Sequence, residues 1–102
     1  MVDVIVGLGA NLGDPPAAFA AALDGLGNEA AVDRCSRLWT TRPLGPDQAD
    51  FSNAAALVRW RGRPHDLLTR CLELEERAGR VRSDEERWGP RVLDLDLLIA
   101  RD

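Results

Sequence analysis

The stretch VLDLDLLI, residues 92–99, decides how this chain folds. Apolar residues dominate it, yet two carboxylates sit two positions apart, at Asp94 and Asp96. Side chains alternate between the two faces of a strand. Leu93, Leu95, Leu97 and Ile99 therefore share one face, and Asp94, Asp96 and Leu98 share the other. The apolar face needs helices packed on it. The other needs water or a ligand, because Asp is depleted from strands and from interiors. The segment thus reads as the last strand of a sheet covered on one side, with both aspartates on the open side.

Moving outward, VDVIVGLG at residues 2–9 alternates in the same way. Val2, Val4, Val6 and Leu8 take one face, and Ile5, Gly7 and Gly9 the other. The turn GANLGD follows. Asp14 then supplies an N-cap and Pro15 a first helical position. Phe19, Ala22, Leu23 and Leu26 keep helical spacing up to a close at Gly25 or Gly27. Residues 30–40 read as a weaker strand, and RPLGPDQAD, 42–50, as a loop. FSNAAALVRWR, 51–61, alternates as a third strand. Pro64 opens a second helix running to about Gly79. The order β-α-β-β-α-β predicts an α+β domain of the ferredoxin-like type, an antiparallel sheet with both helices on one face. No repeat or linker divides residues 1–102, so a single domain is expected.

The bulk composition excludes several classes. With 102 residues, 45% hydrophobic and 29% charged, the chain has enough for one core and is not disordered. A net charge of −4 gives no general case for nucleic acid. No apolar run approaches a membrane span, and the start lacks the basic region of a signal peptide. A cytoplasmic protein with no membrane partner is the expectation. Cys35 and Cys71 are then expected to be reduced and buried. His65 has no Cys or His cluster near it and is expected on the surface. All 13 cations are arginine, the residue whose planar fork suits phosphate.

Adjacent strand positions on one face place the Cα atoms of Asp94 and Asp96 roughly 6–7 Å apart. Side chains leaning together could bridge two metal ions about 3.5–4 Å apart. Magnesium suits such a site, being hard and content with few carboxylates plus phosphates. The plainer reading is a solvated polar face, since Asp-x-Asp alone is common. Arg80, Arg82, Arg87 and Arg91 lead into the strand, with Trp88, Gly89 and Pro90 stiffening the approach. Either they form a screened surface loop, interleaved as they are with Asp84, Glu85 and Glu86, or they close on polyphosphate beside a metal pair. Glu75 falls inside the apolar stripe of the second helix, formed by Leu67, Leu68, Cys71, Leu72, Leu74 and Ala78. A charge there is costly unless paired. It either meets an arginine or reaches a ligand. Phe51 and Asn53 share a face and could stack on and read a flat heterocycle. On spacing alone the plainer reading, a core aromatic and a turn amide, is the one to prefer.

Three stretches together, GLGANLGD (7–14), TRPLGPDQADFSNAA (41–55) and GRVRSDEERWGPRVLDLDLLI (79–99), resemble the 6-hydroxymethyl-7,8-dihydropterin pyrophosphokinase family. The last stretch is the most specific, and the similarity covers essentially the whole chain. The resemblance implies magnesium-dependent transfer of diphosphate from ATP to the pterin hydroxymethyl group, with release of AMP, in folate biosynthesis. It implies that Asp94 and Asp96 hold two Mg²⁺ ions and that Arg80 and Arg91 stabilise charge on the transferring group. Arg82, Arg87 and Trp88 would belong to a loop closing over nucleotide and pterin. Thr41 and Leu44 would present backbone groups to the pterin edge, Asn53 would hydrogen-bond it, and Phe51 would stack on it. Glu75 matches a glutamate near the nucleotide. The partners implied are ATP and the hydroxymethyl dihydropterin, with a monomer usual for the family.

Two departures stand out. Arg42 occupies a place often taken by proline. The family also continues beyond the last strand with further nucleotide-binding residues and a second pterin-stacking aromatic. A chain lacking that segment is expected to bind weakly, or to dimerise. A non-catalytic ferredoxin-like binding module is the alternative reading, and a palm-type two-metal nucleotidyl transferase or cyclase a third.

Overall fold

The computed structural model describes residues 1–45, 47–80 and 89–101. Strand β1 spans Val2–Ala10, helix α1 Pro15–Gly25, β2 Ala30–Cys35, β3 Trp39–Thr41, β4 Phe51–Trp60, helix α2 Pro64–Arg77 and β5 Asp94–Arg101. The sheet is antiparallel throughout, in the order β2-β4-β1-β5, with β3 also paired to β4. This is the expected ferredoxin-like arrangement, with one refinement. The weak strand over residues 30–40 is two strands on one edge. Ser36 breaks it: its amide donates to the Ala55 carbonyl and its hydroxyl accepts from the Ala55 amide, both at 2.8 Å. β2 then pairs with the far half of β4 and β3 with the near half.

The alternation of β1 sets the layers. Val2, Val4, Val6, Leu8 and Ala10 are buried, and the residues between them are half-buried. The buried set packs with Phe19, Ala22 and Leu26 around α1, with Leu67, Cys71 and Leu74 of α2, and with Leu93 and Leu95. Both helices thus cover the same face. Helix α1 starts where Asp14 accepts the Ala17 amide at 3.2 Å, with proline in the first turn. It is followed by Gly27, whose φ of +85° suits only a residue without Cβ. Helix α2 has no side-chain cap; its N-terminus is held by Pro64 and by Trp60, whose indole donates to the Arg63 carbonyl at 2.9 Å.

Three expectations need correction. Leu68 and Leu72 are each 41% exposed, and Ala78 is exposed too, so the buried stripe of α2 is the narrower set Leu67, Cys71, Leu74 and Glu75. Cys35 is exposed because β2 is an edge strand lying almost wholly at the surface; both cysteines are free. In β5 the register skips Leu98 between the pairs Val6–Leu97 and Ile5–Ile99. The extra residue ends the strict two-fold alternation at Leu97. His65 is exposed, as expected. Among the described residues no helix is long and apolar enough to cross a membrane.

Candidate active site on the open face of the sheet

Residues directly opposed in an antiparallel pair point to the same side. One row across the sheet therefore runs Trp39, Asn53, Gly9, Asp94, and the next runs Ala55, Gly7, Asp96. The two glycines of β1 form a floor without side chains between Asn53 and the aspartates. A Cβ on Gly7 would press on Leu98 Cδ1 at 3.2 Å.

Asp94 is half-buried and Asp96 exposed. Their proximity appears in the titration of Asp96, whose carboxyl is pushed from 3.8 up to about 6. Partial desolvation contributes first, then the charge of Asp94 and a hydrogen bond with it, then Glu75; Arg80 acts in the opposite direction. Two carboxylates that repel in this way are suited to a divalent cation. Among the described residues no group of three or more His, Cys, Asp or Glu gathers as a metal cage. A pair of oxygen ligands fits Mg²⁺, which keeps waters and takes phosphate oxygens. It does not fit structural zinc.

Behind the aspartates lies a buried ion pair. Glu75 is 1% exposed. Its Oε2 accepts from the Leu95 amide at 2.8 Å and from Arg80 Nη1 at 2.8 Å. The same Arg80 nitrogen donates to Asp94 Oδ1 at 2.8 Å and to the Leu93 carbonyl at 3.3 Å. Arg80 thus stands between two carboxylates, its side chain 6% exposed. Of the two readings open for Glu75, the pairing with an arginine is the one present in this structure. The bond to Leu95 also anchors the backbone between the two aspartates.

Arg91 approaches from the segment before β5. Its Nη1 donates to the carbonyls of Gly89 at 2.7 Å and Pro90 at 3.0 Å. A cleft of about 320 Å³ opens here, lined by Arg42, Pro43, Leu44, Phe51, Arg80, Gly89, Arg91 and Asp94. That is the small end of the range for ligand pockets. An apolar cleft of about 360 Å³ lies elsewhere, among α1, α2 and Val92–Leu93. The charged groups converge on the smaller one. Asn53 donates to Thr41 Oγ1 at 2.9 Å, which ties β3 to β4 beside the cleft.

The structure therefore brings together Leu44, Phe51, Arg80, Arg91 and Asp94 around one cleft, with Thr41, Asn53 and Asp96 in the adjoining rows. Glu75 lies beneath them. Arg82, Arg87 and Trp88 lie outside the described residues. Two residues escaped the sequence reading. Trp39, 47% exposed, stands in the row of Asn53 and Asp94; its place on a second edge strand hid it. Asn11, 8% exposed, looked like a turn residue, although a buried amide at a strand end is a signal in itself.

Comparison with known proteins identifies a family. Residues 5–101 match the family described as 7,8-dihydro-6-hydroxymethylpterin-pyrophosphokinase (HPPK). The chain is similar to proteins named 2-amino-4-hydroxy-6-hydroxymethyldihydropteridine pyrophosphokinase. It is 42% identical over 101 residues to that of Methylorubrum extorquens, covering 96% of this chain and 63% of the relative. For Pseudomonas aeruginosa the identity is 42% over 99 residues, covering 94% and 60%. For Synechocystis it is 39% over 100 residues, covering 96% and 50%. The chain thus spans between half and two thirds of the length of these relatives.

Proposed function

The chain belongs to the 7,8-dihydro-6-hydroxymethylpterin-pyrophosphokinase family, and from that premise we propose that its open sheet face transfers diphosphate from ATP to 6-hydroxymethyl-7,8-dihydropterin. The pterin hydroxyl oxygen forms a bond to the β-phosphorus, the bond between that phosphorus and the α–β bridging oxygen breaks, and AMP leaves. The hydroxyl proton is released. This is a step of folate biosynthesis.

The observation that carries this reading is the aspartate pair beside the cleft. Asp94 and Asp96 would hold two Mg²⁺ ions, which when bound neutralise polyphosphate charge and align its oxygens. The raised Asp96 carboxyl is in keeping with this: partial desolvation raises it first, and the charges of Asp94 and Glu75 beside it add to the shift. Arg91 and Arg80 line the cleft where the transferring group would lie, and Arg80 already faces Asp94. Positioning and charge stabilisation are most of what phosphoryl transfer asks of a protein. Phe51 would stack on the pterin and Asn53 would bond its edge, with backbone groups of Thr41 and Leu44 alongside. Arg82, Arg87 and Trp88 are assigned to nucleotide and pterin contacts by resemblance. The burial of Glu75 against Arg80 and Leu95 favours a supporting role under the nucleotide site over direct contact with the nucleotide.

Incubation with Mg²⁺, ATP and the pterin, followed by chromatography, tests the reading. AMP and pterin diphosphate should form together and vanish with Asp94→Ala. Nucleotide binding without AMP would point to a binding module instead. Pyrophosphate released from ATP with no pterin present would point to a nucleotidyl transferase or cyclase.

A further inference from the structure

Asn11 sits at the end of β1, in none of the roles assigned above, and every polar group of its side chain is engaged. Its Nδ2 donates to Gln48 Oε1 and to the Ala49 carbonyl, each at 2.8 Å. Its Oδ1 accepts the Arg91 amide at 2.9 Å. Its own amide donates to the Arg91 carbonyl at 3.0 Å, and the Leu12 amide joins at 3.2 Å. Gln48 in turn donates from Nε2 to the Leu44 carbonyl at 3.4 Å. A single amide therefore links Arg91, on one wall of the cleft, to the loop that carries Leu44 on the other.

We propose that Asn11 is a positioning residue that fixes the spacing of the cleft by joining the backbone of Arg91 to Gln48 and Ala49, on the side that carries Leu44. Its orientation is set by its partners: the Arg91 N–H requires an acceptor and the Ala49 carbonyl requires a donor. Only an amide of this length serves. Aspartate matches its shape but would turn a carboxylate oxygen toward two other oxygens. Serine is too short to reach both sides, and glutamine is one methylene too long for a site that is 8% exposed. The two functions of the amide are also separable. The nitrogen holds the Leu44 side, and the oxygen holds Arg91. Loss of the nitrogen donors alone should loosen the wall assigned to the pterin and leave Arg91 tied.

The proposal rests on the pterin reading for its functional half only. The test compares the unsubstituted chain with Asn11→Asp, and with Gln48→Ala, which removes one leg at a half-buried position outside the core. Two measurements are made: backbone amide order parameters from ¹⁵N relaxation at Gln48, Ala49 and Arg91, and calorimetric binding of the pterin and of a non-hydrolysable ATP analogue with Mg²⁺. Asn11→Asp should lower the order parameters at Gln48 and Ala49, leave that of Arg91 unchanged, and weaken pterin binding about tenfold, the loss expected of one or two hydrogen bonds. Analogue binding should not change. Gln48→Ala should weaken pterin binding in the same direction and by less. Unchanged order parameters at Gln48 and Ala49 would overturn the proposal. So would equal losses of pterin and nucleotide affinity, which signify a merely structural residue. If the unsubstituted chain takes up no pterin, the proposed function fails, and the order parameters alone decide for or against Asn11.

Discussion

Replacing Asp96 with asparagine should make the metal-free protein more stable, and only above a defined pH. The Asp96 carboxyl titrates near 6 in the folded chain against 3.8 for an ordinary aspartate. Below about pH 4 both folded and unfolded chains hold the proton, and the group costs nothing. Between 4 and 6 the unfolded chain has shed a proton that the folded one retains, so stability falls as pH rises. Above 6 the folded chain carries the full cost of a carboxylate that is partly desolvated and stands beside Asp94 and Glu75. A shift of this size corresponds to about 3 kcal/mol. Asp96 is exposed, and solvent screening reduces that to on the order of 1 kcal/mol. Asp96→Asn removes the charge and keeps the shape. In urea titrations with a chelator present, the variant should exceed the unsubstituted chain by ~1 kcal/mol at pH 8 and match it at pH 3.5. In melting temperature that is about 4–8 °C for a chain of this size. Saturating Mg²⁺ should reverse the order, because only the intact pair gains binding free energy, about 1.4 kcal/mol at ten times Kd. A variant that is less stable at pH 8, or whose advantage does not change with pH, would refute the claim that the two carboxylates repel.

Other substitutions test the supports of the site. Glu75→Leu should cost about 3 kcal/mol by chemical denaturation, because it leaves Arg80 without its buried partner and the Leu95 amide unsatisfied. Glu75→Gln, which keeps an acceptor, should cost about 1–2 kcal/mol; equal losses would remove the ion pair from the account. Leu67→Ala, at a fully buried position between helix and sheet, should cost about 2–5 kcal/mol. Its effect on ligand binding should be no more than its effect on the folded fraction. Gly27→Ala should cost about 1 kcal/mol in the same denaturation assay, since its φ of +85° disfavours any Cβ.

Much of the fold is legible in the chain because the alternation in β1 and the run Leu93–Leu97 are both clean. One buried face and one glycine-bearing or acidic face leave a single way to lay a sheet under two helices. The break at Ser36 is not legible. β2 and β3 lie at an exposed edge, where no buried pattern distinguishes one strand from two. Within the site, Glu75 stands out in advance as a charge on an apolar stripe. Of its partners, Arg80 lies only five residues on and is within local reach, whereas the Leu95 amide reaches it only once α2 meets β5. The bulge at Leu98 depends on how β5 registers with β1, a relation between distant segments that local sequence does not encode. Asn11 is hidden for the same reason, since its partners lie 37, 38 and 80 residues away.

Counting free Mn²⁺ by electron paramagnetic resonance, as protein is added in the absence of nucleotide, measures the core assertion without reference to turnover. The unsubstituted chain should deplete the free-ion signal, and the double variant Asp94→Asn with Asp96→Asn should leave it untouched. Equal depletion by both proteins would place the ion elsewhere and contradict the account at its root.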